Sequence, residues 1–155
     1  MTESRHAVAY RVAVVSAAST GSTIDLKGEN PGDSIAVTLV KIVYPARGAD
    51  EFNTPDAGDA LVGVQFRIKN TGKGAYSDDP DADAVLIDAA GQQYQPDLGT
   101  TITEGAVLNS SLNLAPGDTT LGFEVFEVPK GTKLGQVQYQ LDFFLGSTAE
   151  WRVTG

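Results

Sequence analysis

Ser77-Asp78-Asp79-Pro80-Asp81-Ala82-Asp83 places four carboxylates within six residues, and Asp88 follows a few positions later. Asp79, Asp81 and Asp83 alternate. Several carboxylate oxygens on one loop are what a hard cation such as Ca²⁺ takes as ligands, so these three are the candidate metal ligands. The segment departs from an EF-hand loop in two respects: it has neither the sharp-turn glycine nor the closing glutamate at the required spacing. Pro80 further restricts how the chain can wrap an ion. The competing account is a solvated acidic loop ahead of a strand.

Other chemistry has little to draw on. His6 is the single histidine and stands beside no nucleophile motif, so a Ser-His-Asp triad has one residue on which to depend. There is no cysteine, which removes disulfides, thiolate metal sites and thiol nucleophiles. Zinc-site spacings need more histidine or cysteine than the chain has. Gly72-Lys73-Gly74 lacks the phosphate-loop spacing and any following helix, and reads as a flexible turn. Twenty acidic residues leave a two-carboxylate hydrolase open, because such a pair meets only in the folded chain and would show as two facing acids in a pocket. The residues therefore point to a protein that is not an enzyme and holds no cofactor, with Ca²⁺ as the alternative ligand.

Recognition has better candidates. Tyr44, Phe52, Tyr76 and Tyr94 fall in or beside loops, and loops carry most recognition on a rigid β scaffold, so these four are the candidate binding residues. Tyr139, Phe143, Phe144 and Trp151 sit in alternating or terminal apolar segments and read as packing residues.

The elements that position these groups are strands. Leu114 to Lys130 packs a turn, an alternating strand and a proline stop into seventeen residues. Pro116-Gly117 has the order of a type II turn, and Pro129, with no amide proton, should end the strand. Leu121, Phe123 and Val125 share one face, and Gly122, Glu124 and Phe126 the other. Phe126 breaks the division, which calls for a bulge or a second contact surface. Ala60 to Lys69 is the clearest central strand, with Val62, Val64, Phe66 and Ile68 facing in and Leu61, Gln65, Arg67 and Lys69 facing out. Along Ser34 to Val43 the apolar phase switches from Ile35, Val37 and Leu39 to Val40 and Ile42, as a bulge would read.

Elsewhere, residues 6–15 alternate as a strand, Ser16–Ser22 reads as a small-residue link, and Tyr44–Asp59 as a long polar loop. Ile24-to-Leu26, Ala84–Ala89, Val137-to-Phe143 and Ala149-to-Val153 supply further strands, while Thr100–Leu114 has no clear period. No stripe of helical period runs longer than a turn or two. About eight or nine strands at this spacing in 155 residues predict one all-β domain, residues 1–155, with two packed antiparallel sheets.

Composition narrows the partners. Hydrophobic residues are 41% of the chain and charged residues 20%, enough for a core and too apolar for wholesale disorder. A net charge of −9 with no basic stripe disfavours nucleic acid and anionic membrane surfaces. No apolar run approaches the roughly 18 residues of a membrane helix, so membrane insertion is not expected. Arg11 interrupts the apolar run Ala7–Val15, which reads as a strand and not an export signal. Oligomeric state is not legible.

Three segments carry a family resemblance. Leu61 to Thr71 resembles the "extended strand, then Asn" element of a bacterial domain family of unknown function. Val85 to Tyr94 is similar to its "hydrophobic strand, Asp, Gly, Tyr" hairpin, and Leu114 to Lys130 to its "Leu-x-Pro-Gly, Gly-x-x-x-Phe-x-Val-Pro" block. The resemblance spans about residues 34–145. That family is common in lipoproteins and secreted proteins of Gram-positive bacteria and is related to the mycobacterial immunoprotective extracellular antigen superfamily. It implies an immunoglobulin-like β-sandwich with an extracellular or cell-surface location, and it supplies no catalytic residues. The family's export signal or lipid-anchoring cysteine is not in this sequence, so export would require one beyond it. The expected function is a non-catalytic extracytoplasmic module that binds a protein or cell-envelope partner. The alternative is a calcium- or small-ligand-binding domain using Asp78–Asp83.

Overall fold

Val62, Val64, Phe66 and Ile68 are fully buried, as their alternation predicts, and the strand that carries them is the centre of the fold. The computed structural model describes residues 14–141 and 147–153. The strand expected over residues 6–13, with His6, and the aromatic positions Phe143 and Phe144 lie outside the described residues.

In chain order the strands are β1 (Val14–Ser19), β2 (Thr23–Lys27), β3 (Ser34–Ala46), β4 (Asp59–Asn70), β5 (Tyr76–Asp78), β6 (Ala84–Asp88), β7 (Gln93–Tyr94), β8 (Leu112–Leu114), β9 (Thr119–Pro129), β10 (Leu134–Gln140) and β11 (Thr148–Arg152). A 3₁₀ turn at Glu51–Asn53 and a single helical turn, α1 (Pro80–Asp83), interrupt them. One sheet has the order β1-β11-β10-β6-β7 and the other β2-β3-β4-β9, with β5-β8 as a separate ribbon. The result is the two-layer β-sandwich that the strand periodicity implies.

Both layers contribute to one core. Phe66 of the four-stranded sheet meets Tyr139 and Trp151 of the five-stranded sheet at ring-centroid distances of 5.4 and 5.9 Å. Removing such a side chain from water contributes about 1.5–3 kcal/mol. The Trp151 indole also donates to the Ser22 carbonyl at 3.0 Å, so its one polar atom is satisfied.

Several local readings need correction. The sandwich is not wholly antiparallel, because β1 pairs with β11 in parallel. Ser16–Ser19, read as a link, belongs to β1, and Tyr44–Ala46, read as loop, completes β3. Leu61 does not face solvent: it joins Ala46, Ile102, Phe123 and Val125 in a second buried cluster. That cluster lies on the outer face of the four-stranded sheet. It answers the question posed by Phe126, since β4 and β9 stay in register from Asp59↔Pro129 to Lys69↔Thr119 with no bulge. Phe126 and Val128 pack in the main core while Phe123 and Val125 pack in the second.

Two irregularities bear on function. In β3, Leu39 pairs with Phe66 but Lys41 pairs with Gln65, leaving Val40 as the extra residue of a bulge. The inward set passes from Ile35, Val37 and Leu39 to Ile42 and Tyr44, which turns Tyr44 against the core. The free edge of β9 is covered by residues 97–108, which run into the segment whose period was unclear. Asp97 N–H donates to the Val125 carbonyl at 2.7 Å, Leu108 N–H to Phe123 at 2.9 Å, and Phe123 N–H to Ala106 at 2.9 Å. These bonds satisfy edge groups that would otherwise invite another strand. The same segment forms one wall of a recess over β9.

Candidate functional site

The β3 bulge and the turn after β9 together build a trough. Tyr44, Pro45, Ala60 and Lys130–Lys133 line a concavity of about 560 Å³. Pro129 ends β9, and Gly131 takes the left-handed conformation (φ 85°) that the reversal into β10 requires. Thr132 then bonds back, its N–H to the Pro129 carbonyl at 3.1 Å and its hydroxyl to the same oxygen at 2.6 Å. The Tyr44 hydroxyl donates to the Thr132 carbonyl at 2.7 Å, fixing the ring against the turn. Lys130 and Lys133 are exposed on this wall, two of only 11 basic residues in a chain with 20 acidic ones.

Tyr94 belongs to the same corner. Its hydroxyl donates to Asp88 Oδ2 at 3.0 Å, and it lies within the electrostatic reach of Tyr44 and hydrogen-bonding reach of the Thr132 side chain. Burial first, then the neighbouring Asp88 carboxylate, raises the Tyr94 hydroxyl above the ordinary tyrosine value. Asp88 Oδ1 accepts the amides of Ala90 and Gln92, both at 2.9 Å, which closes the β6–β7 turn. Of the four candidate aromatics, Tyr44 and Tyr94 thus converge. Phe52 stands apart on its 3₁₀ turn, 89% exposed, and its amide caps onto Asp50. Tyr76 turns inward, its hydroxyl donating to Asp78 Oδ2 at 2.9 Å and lying 3.5 Å from that of Tyr139.

The three candidate metal ligands are separated by α1. Asp79 is exposed and caps the turn, accepting the Asp81 amide at 3.0 Å. Asp81 is half-buried. Asp83 is fully buried, where its charge helps raise the Tyr139 and Tyr76 hydroxyls. The alternation that suggested one coordinating loop becomes, on a helical turn, three side chains in three environments.

What α1 does bring to Asp81 is Glu124 of β9. Glu124 is 3% exposed on the core-facing side of the strand, and among the described residues no donor reaches its Oε2. The Asp81 side chain lies within hydrogen-bonding reach. Burial, followed by Asp81 and the charges of Asp79 and Asp83, pushes the Glu124 carboxyl up to about 10. The two acids line a recess of about 170 Å³ with Asp97, Ser110 and the Phe123 ring. Two acids in direct contact are closer than the roughly 5 Å or more that separates a glycosidase pair, so this is not the geometry of that reaction. The sequence signal for Glu124 was present: an acid sharing a face with Phe126.

A second acidic group was not anticipated. Asp56, Asp59 and Glu127 bring carboxylate oxygens within 4.8 Å of one another, and Glu127 Oε2 accepts the Asp56 amide at 2.9 Å. That amide opposes protonation of Glu127, but burial and the Asp59, Asp56 and Asp97 carboxylates outweigh it and raise the group on balance. All three are exposed or half-buried.

These features define a small all-β sandwich that presents a trough at one corner and an acidic recess at the edge of one sheet. Residues 27–149 match the family model described as "Domain of unknown function (DUF4352)", and the chain belongs to that family. Its fold is shared with MPT63, a secreted protein of Mycobacterium tuberculosis, at a TM-score of 0.62 and 12% identity over 93% of this chain and 98% of that one. The YjhA protein of Bacillus subtilis superposes at 0.57 with 14% identity over 86% of this chain and 98% of that one. A candidate lipoprotein of B. subtilis, YcdA, superposes at 0.57 with 16% identity over 87% of this chain, but the match spans only 39% of that longer protein. A comparison with curated proteins finds no match. Among the described residues, no helix is long and apolar enough to cross a membrane.

Proposed function

We propose that this domain is a non-catalytic binding module that works outside the cytoplasm and engages a cell-envelope or protein partner through the trough at Tyr44. The observation that carries the reading is the trough itself. At about 560 Å³ it falls within the roughly 300–1,000 Å³ usual for ligand clefts, and its ring, proline and alanine surfaces are apolar. Lys130 and Lys133 give it positive charge on an otherwise acidic protein, which favours an anionic partner. Tyr44 is held by the Thr132 carbonyl before any partner arrives, which lowers the entropy lost on binding. The extracytoplasmic location rests on the secreted and lipoprotein relatives.

The test is recovery from a solubilised envelope fraction, comparing the native chain with a Lys130→Glu/Lys133→Glu variant. Both lysines are exposed, so the variant should fold. A component retained by the native chain and lost by the variant supports the proposal. Equal recovery by both, or none by either, overturns it.

A further inference from the structure

The acidic recess over β9 shares no lining residue with the Tyr44 trough and has its own chemistry. Glu124 is buried on a strand of the sandwich, faces Asp81 of α1, and has one carboxylate oxygen that no donor among the described residues reaches. The other acidic groups near it among the described residues add negative charge: Asp79, which caps α1, Asp83 of α1, and Asp97 from the segment along the β9 edge. Among the described residues, no lysine, arginine or histidine lines the recess. An apposed, desolvated pair of carboxyl groups is stable only with a proton or a cation between them, and a cation that displaces the proton satisfies both.

We infer that Asp81 and Glu124 form a binding site for a hard divalent cation, Ca²⁺ by preference, with Asp97 also lining it. All the side-chain donors on offer are oxygens, from Asp81, Glu124, Asp97, Thr100 and Ser110, which suits Ca²⁺ and not a thiolate- or imidazole-seeking metal. The recess, about 170 Å³, holds an ion and several waters. It is reached from outside: a wider depression lined by Asp79, Asp81, Leu98 and Ser110 adjoins it and shares Asp81, Gly99 and Ser110 with it. Asp97 is already oriented, its Oδ2 accepting the Thr100 hydroxyl at 2.8 Å. Two or three carboxylates with water completing the shell give a weak, extracellular-type site, with Kd of about 10⁻⁴–10⁻³ M. The site differs from the one expected from alternation: Asp81 is kept, Asp79 and Asp83 are outside it, and Glu124 replaces them from a strand some forty positions away.

The experiment is a calorimetric titration of CaCl₂ into the whole chain, pre-treated with chelator and desalted, with the thermal midpoint read in parallel. The variants are Glu124→Gln and Asp81→Asn, with Asp59→Asn reporting on the second acidic group. Saturable binding of one ion is expected, weakened at least about tenfold by Glu124→Gln and by Asp81→Asn, and unchanged by Asp59→Asn. If Glu124→Gln fails to fold, Asp81→Asn, at a half-buried position, carries the test. No heat and no thermal shift at millimolar Ca²⁺ overturns the assignment. So does undiminished affinity in Asp81→Asn, or loss of binding in Asp59→Asn alone.

Discussion

The Phe66 ring meets the Tyr139 ring edge-on, with centroids 5.4 Å apart and planes at 64°, and this contact ties the two sheets together at the centre of the sandwich. Phe66 lies on β4 and Tyr139 on β10, so one pair joins the central strand of one layer to the other. Phe66→Ala is expected to cost about 3–5 kcal/mol through lost transfer energy and a cavity. Phe66→Leu should cost much less. Urea denaturation of both variants measures the difference.

Asn70 is a buried polar hub where β4 ends. Its Nδ2 donates to the Gly74 carbonyl at 2.8 Å and the Leu114 carbonyl at 3.0 Å, while Oδ1 accepts the Gly72 amide at 2.9 Å. Asn70→Asp keeps the shape but turns two donors into acceptors facing carbonyls. A loss of about 2–4 kcal/mol is expected, larger at neutral than at acidic pH, because protonation restores one donor.

Asp88 predicts an acid limb in the stability profile. The Gln92 amide above all holds its carboxyl below the ordinary 3.8; burial, the next-largest effect, opposes it, and the Tyr94 hydroxyl and Ala90 amide add to the lowering. The unfolded chain therefore takes up a proton first as pH falls. The stability these bonds contribute is present above 3.8 and is lost as pH drops through the lower folded value. Asp88→Asn should be less stable than the native chain at pH 7, and the gap should close towards low pH in thermal melts across that range.

Tyr76 and Tyr139 set the alkaline limb. Burial is the main cause raising both hydroxyls far above the ordinary 10.0, reinforced by the Asp83 and Asp78 charges. The unfolded chain releases these protons near 10 while the folded chain keeps them. Stability is therefore complete below that pH and falls as pH rises above it. Phenolate absorbance should show Tyr76 and Tyr139 ionising only together with unfolding. Tyr139→Phe should blunt the decline.

Gly122 lets the edge segment lie against β9. A Cβ there would stand 2.9 Å from the Leu108 amide nitrogen and 3.1 Å from its Cα, both backbone atoms that cannot swing aside. Gly122→Ala is expected to cost about 1–3 kcal/mol. Hydrogen exchange should accelerate at the Leu108 and Phe123 amides, which bond across this edge, and stay slow in β3.

Alternation alone was enough to recognise a β-sandwich, because a strand buried on one face must repeat its apolar side chains every second residue, as Val62 to Ile68 do. Turn residues marked β9's limits equally well, since Pro116-Gly117 and Pro129 act through their own backbone chemistry and need no neighbours. The parallel β1–β11 pairing, the second cluster around Leu61 and Phe123, and the recess of Asp81 with Glu124 came from the tertiary structure. Each depends on residues far apart in the chain meeting across a sheet edge or an outer face, and periodicity, which records only which side of its own strand a residue occupies, carries no information about what arrives on that side. Glu124 marks the boundary: its inward register was legible, but its partner was chosen by the fold.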